Sequence, residues 1–409
     1  MNERSPFAYI RKKLIYNSTA ITRQVTVYFA PAFAICYEGD PMRIAYFIRN
    51  IGVSGGVKVV LQHVKILREE GHDVTLFTQQ VKDHWDLEEK PVILQVDDLK
   101  DMSEFDITVA SVYHDVKKLF TKGARKLVHL CQGYEPIDYM SRITREAITE
   151  RYQRRGVFSS LERHLDLVKF KKRVRQIEAV YALPTYKAAV SKHLVELLEG
   201  KYGQRCAIIQ NGIDLNIFRP GQQREWGENG RIRLLSVGSA DVGFKGIGDT
   251  LEAVKLLKER GVDVRLVRVS PGLPSRRENE SGLVHDFRTG LKEREMAEVY
   301  RESDIYISSS LEGEGFGLPA IEAMASGVPS ILTEVSTYKN FDEDPGFAYF
   351  VPTHSPEKIA AGVEKFINDI QFRNQCVEKG LHVATEFSLE RTKKDLMQFI
   401  EDLHRGEIK

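Results

Sequence analysis

One pattern occurs twice in this chain of 409 residues: a buried strand, a glycine-containing loop, a helix and a second buried strand. In the first copy, the apolar runs 43–48 and 73–78 flank a segment whose apolar residues recur at helical spacing. In the second copy, the runs 233–238 and 264–269 flank a similar segment. A strand–helix–strand unit favours a parallel sheet with a right-handed crossover. The repeat therefore predicts an α/β protein with two doubly wound, Rossmann-like domains whose facing edges form a cleft.

The length of the chain also favours two domains, since 409 residues exceed the usual size of one hydrophobic core. Asn-Gly and Arg-Pro-Gly sequences, typical of loops, mark a boundary near residue 211. The predicted parts are an N-terminal extension of uncertain structure (1–41), an N-terminal domain (42–210), a connector (211–232), a C-terminal domain (233–387) and a charged amphipathic helix (388–409).

Charge and cysteine content exclude several classes of function. The net charge of +1 gives no reason to expect a nucleic-acid partner. The four cysteines are far apart and fit no metal-ligand spacing, so we expect reduced thiols in a cytoplasmic protein. Histidines and cysteines also form no cluster in the sequence, so we expect no metal site.

Two segments leave alternatives open. The apolar run 25–37 is too short to span a bilayer. Three alternatives remain for the extension that contains it: a segment on the membrane surface, an extension packed on the protein, or residues from an upstream start, with the folded domain beginning at Met42. Basic residues outnumber acidic ones in 142–175, with aromatic residues interleaved. This region is a solvated helical surface, a surface for anionic lipid headgroups, or a surface near a polyprenyl-diphosphate or polysaccharide acceptor.

The run 308–329 carries the strongest functional signal. Glu314 and Glu322 bracket a glycine-rich turn, and Pro319 follows at a position suited to the first turn of a helix. The backbone N–H groups of Gly315, Phe316, Gly317 and Leu318 are expected to point out of that helix start, which attracts anions. Carboxylates on either side can accept hydrogen bonds from hydroxyl groups. Together these groups suit a nucleotide-sugar.

The two glutamates, with seven residues between them and an internal Gly-Phe-Gly-Leu-Pro, resemble the donor-site signature of glycosyltransferase family 4. Members of this family are retaining enzymes of the GT-B fold. The resemblance implies that Glu314 binds hydroxyls of the donor sugar and Glu322 those of the ribose. It also implies that the donor's own phosphate oxygen helps to remove the acceptor proton, without a bound metal or cofactor. By the same resemblance, the last helix would cross back to the first domain.

Lys245 lies in the loop after the first strand of the second domain, where its ammonium is expected to reach the β-phosphate of the donor. The family usually has an arginine six residues earlier, and Ser239 stands there instead. We consider Arg288 a substitute cation. The alternative for Lys245 is an exposed loop lysine without a role.

In the first domain, Gly55 and Gly56 match the family's first glycine loop and are expected to line the diphosphate and acceptor side. Gln132 occupies the strand end where the family commonly has a histidine, so it can position a hydroxyl but cannot carry positive charge. His129 is expected to be packed and hydrogen-bonded within the strand. His114, after the predicted strand 106–113, and Glu135 are the candidates on the acceptor side.

The leading hypothesis is a metal-independent retaining glycosyltransferase in the cytoplasm. Peripheral attachment to the inner face of the membrane is an open alternative. It would transfer a hexose-type sugar from a nucleoside diphosphate to a glycan, lipid-linked or small-molecule acceptor. Two alternatives remain: a sugar-nucleotide epimerase or phosphorylase of the same fold, and a non-catalytic subunit that binds glycan or nucleotide-sugar. The donor base, the sugar and the acceptor stay open.

Overall fold

The structure is a computed structural model, and it describes residues 41–52, 54–81, 91–94, 102–141, 160–222, 226–227 and 230–408. Residues 1–40 of the predicted extension and residues 142–159 of the basic region lie outside these residues. The described residues belong to one compact unit.

The first sheet has seven strands in the order β3-β2-β1-β4-β5-β6-β7, and all neighbouring pairs are parallel. Its strands are β1 (Arg43–Ile51), β2 (Asp73–Val81), β3 (Val92–Ile93), β4 (Ile107–Ala110), β5 (Leu127–Cys131), β6 (Tyr186–Ala189) and β7 (Cys206–Ile208). The helices described between them are α1 (Gly55–Glu69), α2 (Tyr113–Thr121), α3 (Glu135–Ser141), α4 (Ser160–Tyr181) and α5 (Lys192–Tyr202). The central strands are almost wholly buried because helices cover both faces of the sheet, as is usual for parallel sheets.

The second sheet has six strands in the order β10-β9-β8-β11-β12-β13, again all parallel. Its strands are β8 (Ile232–Val237), β9 (Val264–Ser270), β10 (Val284–Thr289), β11 (Ile305–Ser308), β12 (Ser330–Thr333) and β13 (Tyr349–Val351). The helices are α6 (Ile247–Glu259), α7 (Arg276–Glu280), α8 (Glu293–Arg301), α9 (Leu318–Ala325), α10 (Ser336–Lys339), α11 (Pro356–Asn368), α12 (Ile370–Thr385) and α13 (Leu389–Arg405). Both sheets place their first strand inside the sheet, the doubly wound arrangement in which ligands bind beyond the strands' carboxyl ends.

The prediction of an α/β protein with two doubly wound parallel sheets is confirmed. One predicted strand is too long: β4 ends at Ala110, and Tyr113 already begins α2. The apolar residues after Ala110 continue into the helix because Tyr113 and Val116 pack into the same core as the strand.

The last helix, α13, contacts elements of the first sheet. Lys393 forms an ion pair with Glu70, at the end of α1, and the Lys126 ammonium donates to the carbonyl of His404 at 3.0 Å. Just before this helix, the Ile213 N–H donates to the Phe387 carbonyl at 2.9 Å. This last bond joins the residues just before the C-terminal helix to the segment that links the two sheets.

Candidate functional site

The candidate site begins where two loops of the second sheet meet. Because β8 and β11 are neighbours, the loops at their carboxyl ends lie side by side. The Ser309 hydroxyl donates to the Gly246 carbonyl at 2.8 Å, and the Leu311 N–H donates to the Phe244 carbonyl at 2.6 Å. These bonds hold the loop that carries Lys245 against the loop that carries Glu314.

Lys245 and Glu314 form an ion pair in which the ammonium lies 2.6 Å from a carboxylate oxygen. The same oxygen accepts a hydrogen bond from the Ser310 hydroxyl at 2.8 Å. The Glu314 side chain is only 7% exposed, whereas that of Lys245 is 19% exposed. The carboxylate is therefore fixed in the wall of the site, and the ammonium retains access to solvent on one side.

The glycine-rich turn after Glu314 leads directly into α9. Gly317 precedes this helix with φ 85°, a left-handed conformation that favours glycine. Among the described residues, the N–H groups of Gly315, Phe316, Gly317 and Leu318 have no hydrogen-bond partner. Four free amides at the positive end of a helix form a site for an anion.

The first sheet's elements approach this turn closely at Gln132. The Gln132 side chain donates to the Gly56 carbonyl at 3.1 Å. A Cβ placed on Gly315 would lie 2.0 Å from the Gln132 carbonyl oxygen, and a Cβ on Gly56 would lie 2.9 Å from the Gln132 side-chain oxygen. Gly315 is therefore required for this approach because it meets a backbone carbonyl, whereas the end of the Gln132 side chain could move away from a Cβ on Gly56. The structure brings Gly56, Gln132 and Gly315 together. A Cβ on Gly55 would contact only the Leu318 side chain, at 3.6 Å.

Glu322 is buried in α9 and has a partner on each carboxylate oxygen. The Lys58 ammonium lies 2.8 Å from one oxygen, and the Tyr300 hydroxyl donates to the other at 3.0 Å. Lys58 belongs to α1, beside the first sheet, and also pairs with Glu293 at 2.8 Å. These carboxylates raise the pKa of Lys58 against the opposing effect of burial. Contact of Glu322 with a ribose stays a prediction.

Three further residues predicted to bind donor have other contacts in the structure. The Arg288 guanidinium pairs with Asp286 at 2.8 Å and with Glu302 at 3.3 Å, so its contacts are with neighbouring carboxylates and not with Lys245 or Glu314. The Ser239 hydroxyl accepts from the Asp241 N–H at 3.2 Å, which is a turn interaction. The Phe316 ring is buried against Phe387, so only its backbone amide faces the turn.

The two acceptor-side candidates, Glu135 and His114, follow the carboxyl ends of neighbouring strands of the first sheet. Glu135 accepts from the Tyr113 N–H at 3.1 Å and the Tyr181 hydroxyl at 3.4 Å. Burial raises the pKa of Glu135 to about 7. His114 follows Tyr113 in α2, and burial, aided by Arg49, lowers its pKa. A role of either residue on the acceptor side stays a prediction.

His129 is fully buried, as predicted, but the expected hydrogen bonds are not there: neither ring nitrogen has a partner among the described residues. Its ring packs on Tyr181, with 4.5 Å between the ring centroids. Burial lowers the pKa of His129 to about 3, so the ring is neutral at ordinary pH. The histidine has a packing role.

A cavity of about 260 Å³ opens beside Glu314. It is lined by Tyr134, Ile137, His193, Leu194, Glu196, Leu197, Glu312, Glu314, Ser336 and Asn340. The wall from α3 and α5 combines the apolar Ile137, Leu194 and Leu197 with His193 and Glu196, and the opposite wall carries carboxylates and hydroxyl or amide groups. Such a cavity suits a sugar ring, which has C–H faces and peripheral hydroxyls.

Sequence reasoning missed Lys58 and His193. His193 follows the carboxyl end of β6 just as Gln132 follows that of β5, so recognition of the short strand β6 would have indicated it. No sequence pattern indicates Lys58, because its partners are far away along the chain.

The fold is that of two-domain GT-B glycosyltransferases. The structure matches sucrose-phosphate synthase from Thermosynechococcus elongatus with a TM-score of 0.67 and 16% identity, over 89% of this chain and 100% of the other. It matches HepE from Anabaena, solved in complex with UDP-glucose, with a TM-score of 0.64 and 14% identity, over 88% of this chain and 100% of the other. At these identities the comparison establishes the fold alone, and the GT-B prediction is confirmed.

Residues 231–369 match the family model described as glycosyl transferases group 1. The chain is 34% identical over 136 residues to the MMP alpha-(1->4)-mannosyltransferase of Mycolicibacterium hassiacum, covering 32% of this chain and 31% of the relative. It is 24% identical over 164 residues to the phosphatidyl-myo-inositol mannosyltransferase of Mycobacterium tuberculosis H37Rv, covering 39% of this chain and 43% of the relative. The matched part thus spans less than half of these relatives' length. The second domain thus matches the group 1 glycosyltransferases, and the predicted resemblance to glycosyltransferase family 4 is confirmed.

Proposed function

We propose that this protein is a retaining glycosyltransferase that moves a sugar from a nucleoside-diphosphate-sugar to a hydroxyl of an acceptor. The observation that carries the proposal is the row of free amides from Gly315 to Leu318 beside the Lys245–Glu314 pair. The amides and the Lys245 ammonium suit a diphosphate, and the Glu314 carboxylate suits sugar hydroxyls.

The chemistry assigned to these groups follows from charge. Transfer leaves a nucleoside diphosphate that gains negative charge as the glycosidic bond breaks. The amides at the start of α9 and the Lys245 ammonium are prearranged to stabilise that charge. The Glu314 carboxylate holds Lys245 in place and can accept from hydroxyls of the transferred sugar.

The comparisons support the class of donor. HepE, which shares the fold, was solved with UDP-glucose, and the relatives named above are mannosyltransferases. We therefore propose a nucleotide-sugar donor carrying a hexose. We also propose that the reaction needs no bound metal or cofactor, because the proposed site supplies its positive charge from amides and lysine.

The acceptor is proposed only by class, as a glycan, a lipid-linked acceptor or a small molecule. None of the helices in the described part of the chain is long and apolar enough to cross a membrane. Contact with an anionic membrane through 142–175 stays a prediction, since 142–159 and the Arg163 side chain lie outside what the structure describes.

A thermal-shift screen with UDP, GDP, dTDP and ADP, each alone and as its hexose conjugate, tests the proposal. Saturation at a hundred times Kd should stabilise the protein by about 2.7 kcal/mol. The selected donor is then incubated with EDTA, and release of nucleoside diphosphate is measured. If none of these nucleotides binds, the proposed function is wrong.

A second candidate is a non-catalytic subunit that binds nucleotide-sugar. It is favoured by Ser239 and Gln132, which replace the cationic side chains that the family has at these places. If the protein is such a subunit, we expect it to bind nucleotide-sugar but to release no nucleoside diphosphate with any acceptor that is added. An epimerase or phosphorylase would instead yield an isomerised donor or a sugar phosphate.

A further inference from the structure

His193 contacts both sides of the cleft. Its Nδ1 lies 3.0 Å from the hydroxyl of Ser191, which precedes α5, and its Nε2 lies 3.3 Å from the hydroxyl of Thr337, in α10. The Ser191 hydroxyl donates to the Gly315 carbonyl at 3.1 Å, and the Thr337 hydroxyl donates to the Glu314 carbonyl at 2.5 Å. Through these hydroxyls, His193 is connected to both carbonyls at the start of the glycine-rich turn.

Ser191 has an unusual role in this network. It occupies the position before α5 at which a serine hydroxyl usually accepts from the helix's first amides. Its side chain makes no such capping bond and instead reaches across the cleft to Gly315. Helix stability alone therefore does not explain the orientation of this hydroxyl.

The four hydrogen bonds of this network need four protons, and with a neutral histidine only three are available. Each hydroxyl has one proton, and both protons are used on the carbonyls of Glu314 and Gly315. Both hydroxyls can then only accept from the ring, so Nδ1 and Nε2 must each carry a proton. A neutral ring carries one, and one of the four bonds is lost.

We propose that His193 is a positioning residue that, in its imidazolium form, holds the Glu314–Gly315 and Gly315–Phe316 peptides across the cleft and is protonated when a nucleoside diphosphate binds. The proposal rests on the proposed function, because the bound diphosphate supplies the nearby negative charge. These two peptides carry the N–H groups of Gly315 and Phe316, the first two of the amides that would contact the diphosphate.

The surroundings of the ring set the direction of this coupling. Burial lowers the pKa of His193, whereas the carboxylates of Glu312 and Glu314 in the opposite loop and of Glu196 in its own helix oppose that decrease. Tyr134 and Asn340 are uncharged neighbours in the cavity wall. The ring is therefore neutral in the empty protein above pH 6.5, and an added diphosphate raises its pKa and draws in a proton.

Proton uptake is measured by titration calorimetry with the nucleoside diphosphate selected in the thermal-shift screen. Binding is recorded at pH 7.5 in two buffers of different ionisation enthalpy. The full-length protein should take up a substantial fraction of one proton for each nucleotide bound. His193→Gln should abolish this uptake, and Thr337→Val, which keeps the ring but removes one acceptor, should reduce it. Both variants should weaken nucleotide binding about tenfold, the effect of one charge-assisted hydrogen bond.

The matched control is His382→Gln, which replaces an exposed histidine in α12. It should leave both proton uptake and affinity unchanged. Binding without proton uptake in the unmodified protein, or equal uptake in His193→Gln, overturns the role of His193 while leaving the proposed function intact. Absence of nucleotide binding in the unmodified protein overturns both.

Discussion

At the scale of single residues, the Lys245–Glu314 pair decides the character of the site. The carboxylate is nearly inaccessible and is held by two partners, the ammonium and the Ser310 hydroxyl. Removal of one charged partner leaves the other partly buried and uncompensated, which is more harmful than removal of both. The pair thus combines a structural function with the proposed catalytic one, and the two effects can be separated.

We expect Lys245→Ala or Glu314→Ala to lower kcat/KM on the order of a hundredfold or more, because each removes charge stabilisation near the leaving group. Lys245→Ala should also lower stability by about 2 kcal/mol, since Glu314 loses its counter-ion. In the double variant, the stability loss should be smaller than the sum of the two single losses.

The matched control for Lys245 is Lys255→Ala, which removes a lysine from the exposed face of α6. Its kcat/KM should equal that of the unmodified protein. Unaltered kcat/KM in both Lys245→Ala and Glu314→Ala would remove these residues from the proposed site.

At the scale of elements, the start of α9 depends on a backbone that only glycine adopts readily. Gly317 has φ 85°, and a Cβ there would lie 2.4 Å from the Tyr338 ring. Tyr338 is itself buried. The ring cannot move aside without disturbing the core, so the orientation of the free amides is coupled to the packing beneath them.

Gly317→Ala should therefore be compared with Gly261→Ala. Gly261 has a similar φ of 79°, but no atom lies within 4 Å of a Cβ placed there. Gly261→Ala should cost about 1 kcal/mol of stability, the strain of a left-handed alanine. Gly317→Ala should cost clearly more and abolish nucleotide binding, as measured by urea unfolding and by thermal shift. Equal losses of stability in the two variants, with nucleotide binding retained in Gly317→Ala, would show that the Tyr338 ring moves aside for the added methyl group.

At the scale of the whole molecule, charged contacts connect the parts around the two sheets. The buried Lys58 ammonium of α1 reaches Glu322 in α9 and Glu293 in α8, and Lys393 of α13 pairs with Glu70. Lys58 also lies 4.8 Å from the centre of the Phe218 ring, in the segment between the sheets. Because Glu322 is engaged in this way, a ribose that approaches it must share or replace the Lys58 contact.

Acid should destabilise the molecule through its buried histidines. Burial lowers the pKa of His63 to about 4 and of His129 to about 3. Below pH 6.5 the unfolded chain binds protons that the folded protein cannot, so the free energy of unfolding falls as pH decreases towards these values. Each histidine should contribute about 1.4 kcal/mol per pH unit within this window.

His129→Phe keeps a ring against Tyr181 and removes the titrating group. The decrease in the urea midpoint between pH 7.5 and pH 5.0 should be smaller in this variant than in the unmodified protein. His382→Gln, at an exposed histidine, should leave the decrease unchanged. An equal decrease in His129→Phe would contradict a contribution from His129.

The amino-acid sequence by itself determined the periodic and local features. The two strand–helix–strand repeats predicted both doubly wound sheets, because helical and strand spacing record which face is buried. The run around Glu314 predicted a glycine turn before a helix, and the structure has that turn with Gly317 before Leu318. These features depend on residues close together in the chain.

Only the tertiary structure decided which side chains meet. Lys245 contacts Glu314, Lys58 contacts Glu322 and His193 contacts Thr337, although each pair is far apart in the chain. In the folded protein Arg288, expected to bind the donor, pairs with neighbouring carboxylates. His129 has no hydrogen bond from its ring nitrogens among the described residues. The physical reason is that burial periodicity fixes the direction in which a side chain points, whereas its partner depends on strand order and on how the two sheets face each other.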